Sequence, residues 1–336
     1  MTTTTAKIVR FHKIGSPDVL QLDELPLPEP AKGEIRLRVK AIGLNRAEAL
    51  LRQGRFFIPK LPSKIGSEAS GIVEAIGTAV DPSWLGKTVS TVPTSPANAY
   101  GVYGEVAIIP INAIADFPSH LSYEEGASIW MQYITAYGAL IHEGKLTRGD
   151  FVVITAASSS VGLAAIEIAK VEGAISIATT RTAMKKAELL ALGADHVIVT
   201  DKEDLSDRVN TITGGKGARI IFDAIGGEGL SALAAAAAPS GIIFEYGLLS
   251  QDPSPYPATA ALSKYLTIKA YGLYEVVSNP DTFPEEFLKA KKYVFDHLAN
   301  GDFRPIINRT FPLSDIVEAH RYMESNAQIG KIVVTV

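Results

Sequence analysis

Between Asp150 and Gly162 the chain reads Asp-Phe-Val-Val-Ile-Thr-Ala-Ala-Ser-Ser-Ser-Val-Gly. The last five of these, Ser158, Ser159, Ser160, Val161 and Gly162, have the types and spacing to hold an anion. A tight turn running into a helix offers backbone N–H groups that lack an intrahelical acceptor, and a diphosphate can take them. The loop departs from G-x-G-x-x-G, because Ala157 and Ser159 stand at the earlier glycine places and only Gly162 remains. Taken alone, these residues also fit an ordinary strand–helix–strand unit that binds no nucleotide.

Further along stands Thr179-Thr180-Arg181-Thr182, with Lys185 and Lys186 behind it and no acid. Units that bind a free ribose 2′-hydroxyl carry Asp or Glu about 20 residues after the last loop glycine. A carboxylate there would repel a 2′-phosphate, whereas a guanidinium pairs with one through charge-assisted hydrogen bonds. The expected preference is therefore NADPH over NADH. The alternative is that Arg181 is a solvated loop cation.

The elements that must position these groups are legible in outline. Phe151 to Thr155 is an apolar run of strand length, which suits a strand buried on both faces. Strands are predicted at 151–155, 174–180, 196–200, 219–224, 241–246 and 266–273, with helical segments between most of them. That alternation predicts a doubly wound parallel sheet. The five alanines Ala234 to Ala238 read as helix against a sheet. The first ~120 residues are dense in Pro and Gly, with strand-like alternation at 7–11, 34–42, 68–76 and 88–92. Ser122 and Glu125 form an S-x-x-E capping box, predicting one long helix through Trp130, Tyr133 and Tyr137 to about Gly144. A second helix is predicted from Pro284 to Asn300, and the closing strand 331–336 is expected to return to the first domain. Two domains follow: 1–125 with 301–336, β-rich, and 126–300, nucleotide-binding.

Composition narrows the classes. A chain of 336 residues exceeds one typical core, and 47% hydrophobic with 20% charged residues describes a globular protein. The net charge of −4, without a basic run, argues against nucleic acid and acidic membrane surfaces as partners. Cysteine is absent, which excludes disulfides, thiolate metal ligands and a Cys-based zinc lobe. No segment approaches the ~18 consecutive apolar residues of a membrane span, and the N-terminus has no signal core, so a cytoplasmic location is the default expectation.

Taken together, several short segments resemble the zinc-independent medium-chain dehydrogenase/reductase family, in its quinone oxidoreductase and zeta-crystallin branch, over essentially the whole chain. They are Gly43-Leu-Asn-Arg-Ala-Glu48, Gly66-Ser-Glu-Ala-Ser-Gly71, Ala156-x-x-Ser159-x-x-Gly162, Leu192-Gly-Ala-Asp195, Asp223-Ala-Ile-Gly226, Gly247-Leu-Leu-Ser250 and Gly330-Lys-Ile-Val333. The resemblance implies an α/β Rossmann-type doubly wound domain plus a β-rich GroES-like catalytic domain, with the nicotinamide in a cleft between them. It implies Asn45 and Thr135 at the nicotinamide end and Gly162 with the preceding serines at the pyrophosphate. Lys185 and Thr182, beside Thr180, would meet the adenosine phosphate. Gly247, Leu248 and Ser250 would line the ribose and nicotinamide, and Gly226 and Lys331 fall on cofactor-side landmarks. A homodimer is also implied, with strand 267–271 pairing across a two-fold axis. Leu50 and Thr200 stand where relatives carry tyrosines.

In the zinc enzymes of this superfamily a Cys and a His ligate the catalytic metal. Here Asn45 is close to the Cys position, Ser67 takes the His place, and the six histidines show no ligand spacing. The expected site is therefore metal-free and suits acceptors that stabilise incoming electrons themselves, namely quinones, enones and enals. These need orientation and donors for a growing oxyanion more than a Lewis acid. Asn45 is the candidate donor to a carbonyl. Tyr133, followed by Tyr137 and Tyr103, is the candidate hydroxyl, with a packed aromatic as the competing role for each. Glu68 is expected to be a carboxylate satisfied by backbone or by Arg. The rival to a reductase is a crystallin-like NADPH-binding protein with little turnover.

Overall fold

In the computed structural model, residues 4–55, 58–278 and 283–336 are described. The chain divides into two compact units, residues 1–131 with 305–336, and residues 132–304.

The first unit is built on the strand Glu34–Gly43, which alternates buried Ile35, Leu37, Val39 and Ala41 with less buried polar neighbours. That period-2 pattern places one face on the core. The strand pairs antiparallel with Glu68–Ile76, Val106–Pro110 and the C-terminal Lys331–Thr335. The closing strand thus returns to this unit, as expected. Gly43 lies opposite both Glu68 and Val333, which draws three distant segments to one point. No side chain fits at Gly43, where a Cβ would lie 1.9 Å from the Ala127 carbonyl oxygen.

The second unit holds a six-stranded parallel sheet. Its strands are Phe151–Ile154, Ile175–Thr180, His196–Val199, Ala218–Asp223, Ala237–Glu245 and Thr267–Ala270. Counted along the chain their spatial order is 3-2-1-4-5-6, the doubly wound order with its switch point between the first and fourth strands. Val153, Ile177, Ile198, Ile221 and Ile243 form the core with Leu230 and Leu233.

Two helix expectations are corrected. The Ser122 capping box is present, with the Ser122 N–H donating to Glu125 at 2.8 Å and the Glu125 N–H to Ser122 Oγ at 3.2 Å. It opens only the turn Tyr123–Gly126, and helix resumes at Trp130–Tyr137 before a short π-helix at Gly138–Glu143. Tertiary contacts flank the break. A Cβ at Gly126 would lie 2.7 Å from Phe117, and the Glu68 carboxylate accepts the Met131 N–H at 3.1 Å, in the first turn of the renewed helix. In the alanine run, helix Leu230–Ala236 gives way to strand at Ala237, which pairs with Ala218. Alanine itself carries no turn signal, and Pro239 just beyond marks an end to the helix without saying that strand begins at Ala237.

Candidate functional site

The phosphate-type loop lies at the switch point. Strand Phe151–Ile154 ends in Thr155, whose hydroxyl donates to Asp223 at 2.6 Å and accepts from the Ala224 N–H at 2.9 Å. Asp223 also accepts from the N–H groups of Ile225 and Gly226, each at 3.0 Å. This fully buried carboxylate ties together the C-terminal ends of the first and fourth strands.

Ser159 is the N-cap of helix Ser160–Glu172, and its Oγ accepts from the Gly162 N–H at 3.1 Å. A serine in place of the loop glycine therefore supplies a helix cap. Gly162 is required for packing, because a Cβ there would lie 2.6–2.8 Å from Ala157 backbone atoms. By the geometry of a helix's first turn, the N–H groups of Ser160 and Val161 have no intrahelical acceptor. The loop is tied to the second strand by the Ala157 N–H, which donates to the Thr179 carbonyl at 3.3 Å.

That second strand ends at Thr180, whose hydroxyl donates to the Thr182 carbonyl at 3.2 Å. Arg181 is exposed, and Lys185 reaches back to donate to Ser158 Oγ at 3.1 Å. Burial lowers the Lys185 pKa below the ordinary lysine range and the Arg181 charge adds to the effect, while Glu188 opposes it. The corner thus gathers two mutually repelling cations, Ser158 and a helix N-terminus. A phosphate dianion relieves that repulsion.

Gly226 and Gly247–Ser250 are also brought together. The N–H groups of Leu249 and Ser250 donate to Ala224 and Ile225 carbonyls at 3.2 and 2.8 Å. A Cβ at Gly247 would lie 2.5 Å from the Ala224 carbonyl oxygen, and Leu248 is exposed. Thr135 is buried on helix Trp130–Tyr137.

Tyr133 is placed differently from a free proton donor. Its ring is fully buried and stacked on Phe303 at 4.7 Å, and its hydroxyl donates to Glu167 at 2.6 Å. Glu167 also accepts the Arg304 N–H at 3.1 Å, and burial lifts its pKa to about 7. Above about pH 4.5 the unfolded chain gives up this proton while the folded chain keeps it to about pH 7. Stability therefore falls as pH rises through that window, by on the order of 3 kcal/mol. Urea titrations at about pH 5 and about pH 8 should show this fall in the wild type and a clearly smaller one in Glu167→Gln. An equal fall in both would contradict it.

In the first unit Lys331, expected on the cofactor side, is fully buried. Its ammonium donates to Asn45 Oδ1 and to Glu68 Oε2, both at 2.6 Å. Glu68 is satisfied by backbone and by a lysine, not by an arginine. Asn45 is almost buried, with its oxygen held by Lys331 and its amide nitrogen donating to the Gly43 carbonyl at 3.1 Å. One of the two amide hydrogens is thus engaged by the backbone, and the side chain is fixed in place. Beside it Glu48 accepts the Asn45 N–H, the Ser67 N–H and the Tyr103 hydroxyl at 2.8, 2.9 and 2.5 Å. Burial raises the Glu48 pKa, and burial with the neighbouring Glu48 raises that of Tyr103. His320 contacts the Tyr103 hydroxyl at 3.2 Å, and burial pushes its pKa down to about 3. Sequence reasoning missed this network. Its one signal was Glu48 and Glu68, lone acids beside apolar positions. Among the described residues no three His, Asp or Glu side chains converge as a metal-binding group.

Comparison with known proteins agrees with this architecture. Residues 31–119 match the alcohol dehydrogenase GroES-like domain, and residues 192–334 match the family described as zinc-binding dehydrogenase. Quinone oxidoreductase 1 of Escherichia coli is 31% identical, covering 96% of this chain and 97% of its own. A 2-haloacrylate reductase of a Burkholderia species is 29% identical, covering 96% and 97%. The crystal structure of Escherichia coli quinone oxidoreductase complexed with NADPH superposes with a TM-score of 0.90 at 29% identity, covering 98% of this chain and 100% of that one. The chain belongs to the medium-chain dehydrogenase/reductase family, in its quinone oxidoreductase branch.

Proposed function

We propose that the protein is an NADPH-dependent reductase that transfers hydride to a quinone or an α,β-unsaturated carbonyl without a bound metal. The observation that carries this reading is the cationic corner of Arg181 and Lys185, with Lys185 reaching the loop serine Ser158. The loop fits the cofactor, since it presents a capped helix N-terminus to a diphosphate and cations to a 2′-phosphate. When bound, NADPH supplies the hydride. Ser158, Ser160, Val161 and Gly162 would hold its diphosphate, and Arg181, Thr182 and Lys185 its 2′-phosphate. Gly226 and Gly247–Ser250 would keep backbone close to the ribose. Tyr133 does not enter as a proton donor, because Glu167 holds its hydroxyl. In a conjugated acceptor the charge develops on an enolate or hydroquinone oxygen, so water can deliver the proton.

The metal-free reading rests on the residues at the metal-ligand positions of zinc relatives. Asn45 and Ser67 stand there, and Lys331 already places a cation on Asn45 and Glu68. The name of the Burkholderia relative, a reductase of a conjugated alkene acid, supports the enone arm of the acceptor class.

The test is NADPH oxidation by the pure protein with a panel of quinones, enones and enals, alongside fluorescence titration with NADPH. Turnover with at least one acceptor is expected. Tight binding without turnover would favour a crystallin-like role instead, and the absence of both binding and turnover would remove the reading altogether. A homodimer is part of the proposal. Strand Thr267–Ala270 ends the parallel sheet, paired on one side with Ala237–Glu245, and Leu262 and Tyr265 near it are largely exposed. Sedimentation at micromolar protein should give a dimer, and a monomer would contradict this.

A further inference from the structure

Tyr246 follows the fifth strand of the second unit, Ala237–Glu245, at the edge where the loop lies. Its ring is stacked on Phe222, with centroids 3.9 Å apart and 17° between the planes. Its N–H donates to the Asp223 carbonyl at 2.8 Å. Ring and backbone are therefore both fixed to the fourth strand, and neither contact uses the hydroxyl. That hydroxyl is buried beside Ser159, whose own hydroxyl can donate to the phenol oxygen, and among the described residues no acceptor takes the phenol's hydrogen with hydrogen-bond geometry.

A phenylalanine would stack on Phe222 equally well, whereas a buried hydroxyl whose hydrogen makes no bond is costly. The phenol's hydrogen thus has no use in the fold itself, yet it sits next to the cap of the helix whose N-terminus suits an anion. Ser159 turns its oxygen lone pair toward the Gly162 N–H. Burial, helped by the Asp223 charge, holds the phenol above its ordinary pKa, so it stays protonated at neutral pH. A neutral phenol with its hydrogen unused is a donor suited to an anionic oxygen.

We propose that the Tyr246 hydroxyl is a binding group for the cofactor's diphosphate, completing the set formed by the Ser160 and Val161 N–H groups. This rests on the reading of the loop as an NADPH site and adds a residue outside the family's loop motif.

The experiment measures dissociation constants for NADPH, NADH and adenosine 2′-monophosphate by titration of the wild type and Tyr246→Phe. Melting of both ligand-free proteins is followed in parallel. Tyr246→Phe should weaken NADPH and NADH alike by roughly tenfold to a hundredfold, the loss of one hydrogen bond to a charged group. Adenosine 2′-monophosphate, which has no diphosphate, should bind both proteins equally, and the melting temperature should be unchanged or higher. Unchanged NADPH affinity would overturn the assignment, as would an equal loss for adenosine 2′-monophosphate. A wild type that binds neither dinucleotide would instead remove the cofactor reading beneath it.

Discussion

Replacing Arg181 with alanine should raise KM for NADPH about tenfold or more while leaving NADH nearly unchanged, the loss of roughly one charge-assisted hydrogen bond. The expectation follows from where the residue stands. The second strand of the parallel sheet ends at Thr180, where units that hold a free ribose hydroxyl place an acid. Here the next residue is an exposed arginine, and Lys185 lies near enough to feel its charge. Two cations held close repel each other until a dianion sits between them. Removing one also eases the strain on Lys185, so some NADPH preference should remain. Steady-state kinetics with both cofactors at one ionic strength would check this, since exposed charges are screened by salt. Equal use of both cofactors by the wild type would overturn it.

The second large effect is on stability. Lys331→Met should destabilise the protein by about 3–5 kcal/mol, because it leaves the fully buried Glu68 carboxylate without its cation. Asn45 Oδ1 loses its donor in the same step. The double variant Lys331→Met with Glu68→Gln should recover much of that loss, since a neutral amide can still accept the Met131 N–H. Urea unfolding of the two single variants and the double variant measures the coupling. Strict additivity of the two single changes would show that the pair does not act as a unit.

The parallel sheet was legible because its strands are short apolar runs separated by helical patterns, a local property of the sequence. The strand–turn–helix loop at the switch point was legible from Gly162 and its neighbours, although the reason for serine at 159 was not. Only the folded chain shows its oxygen capping the Gly162 N–H. The interrupted helix after Ser122 could not be read, because the contact at its restart comes from Glu68, 63 residues from the Met131 N–H it accepts. Lys331 and Glu68 are 263 residues apart, and strand register alone brings them together at Gly43. Asn45, read from a local match as a carbonyl donor, has its oxygen held by the same remote Lys331, while its nitrogen donates to the nearby Gly43 carbonyl. Tyr246 gave no signal in sequence, since a tyrosine ending a strand is ordinary until its hydroxyl hydrogen is found without an acceptor among the described residues.

The central claim is hydride transfer from NADPH by a site that works without a metal ion. Its most direct test is to treat the purified protein with a strong chelator, measure its metal content, and follow NADPH oxidation with an accepted quinone. Undiminished turnover with far less than one metal ion per chain is expected. Activity that disappears with the metal and returns with added zinc would contradict it.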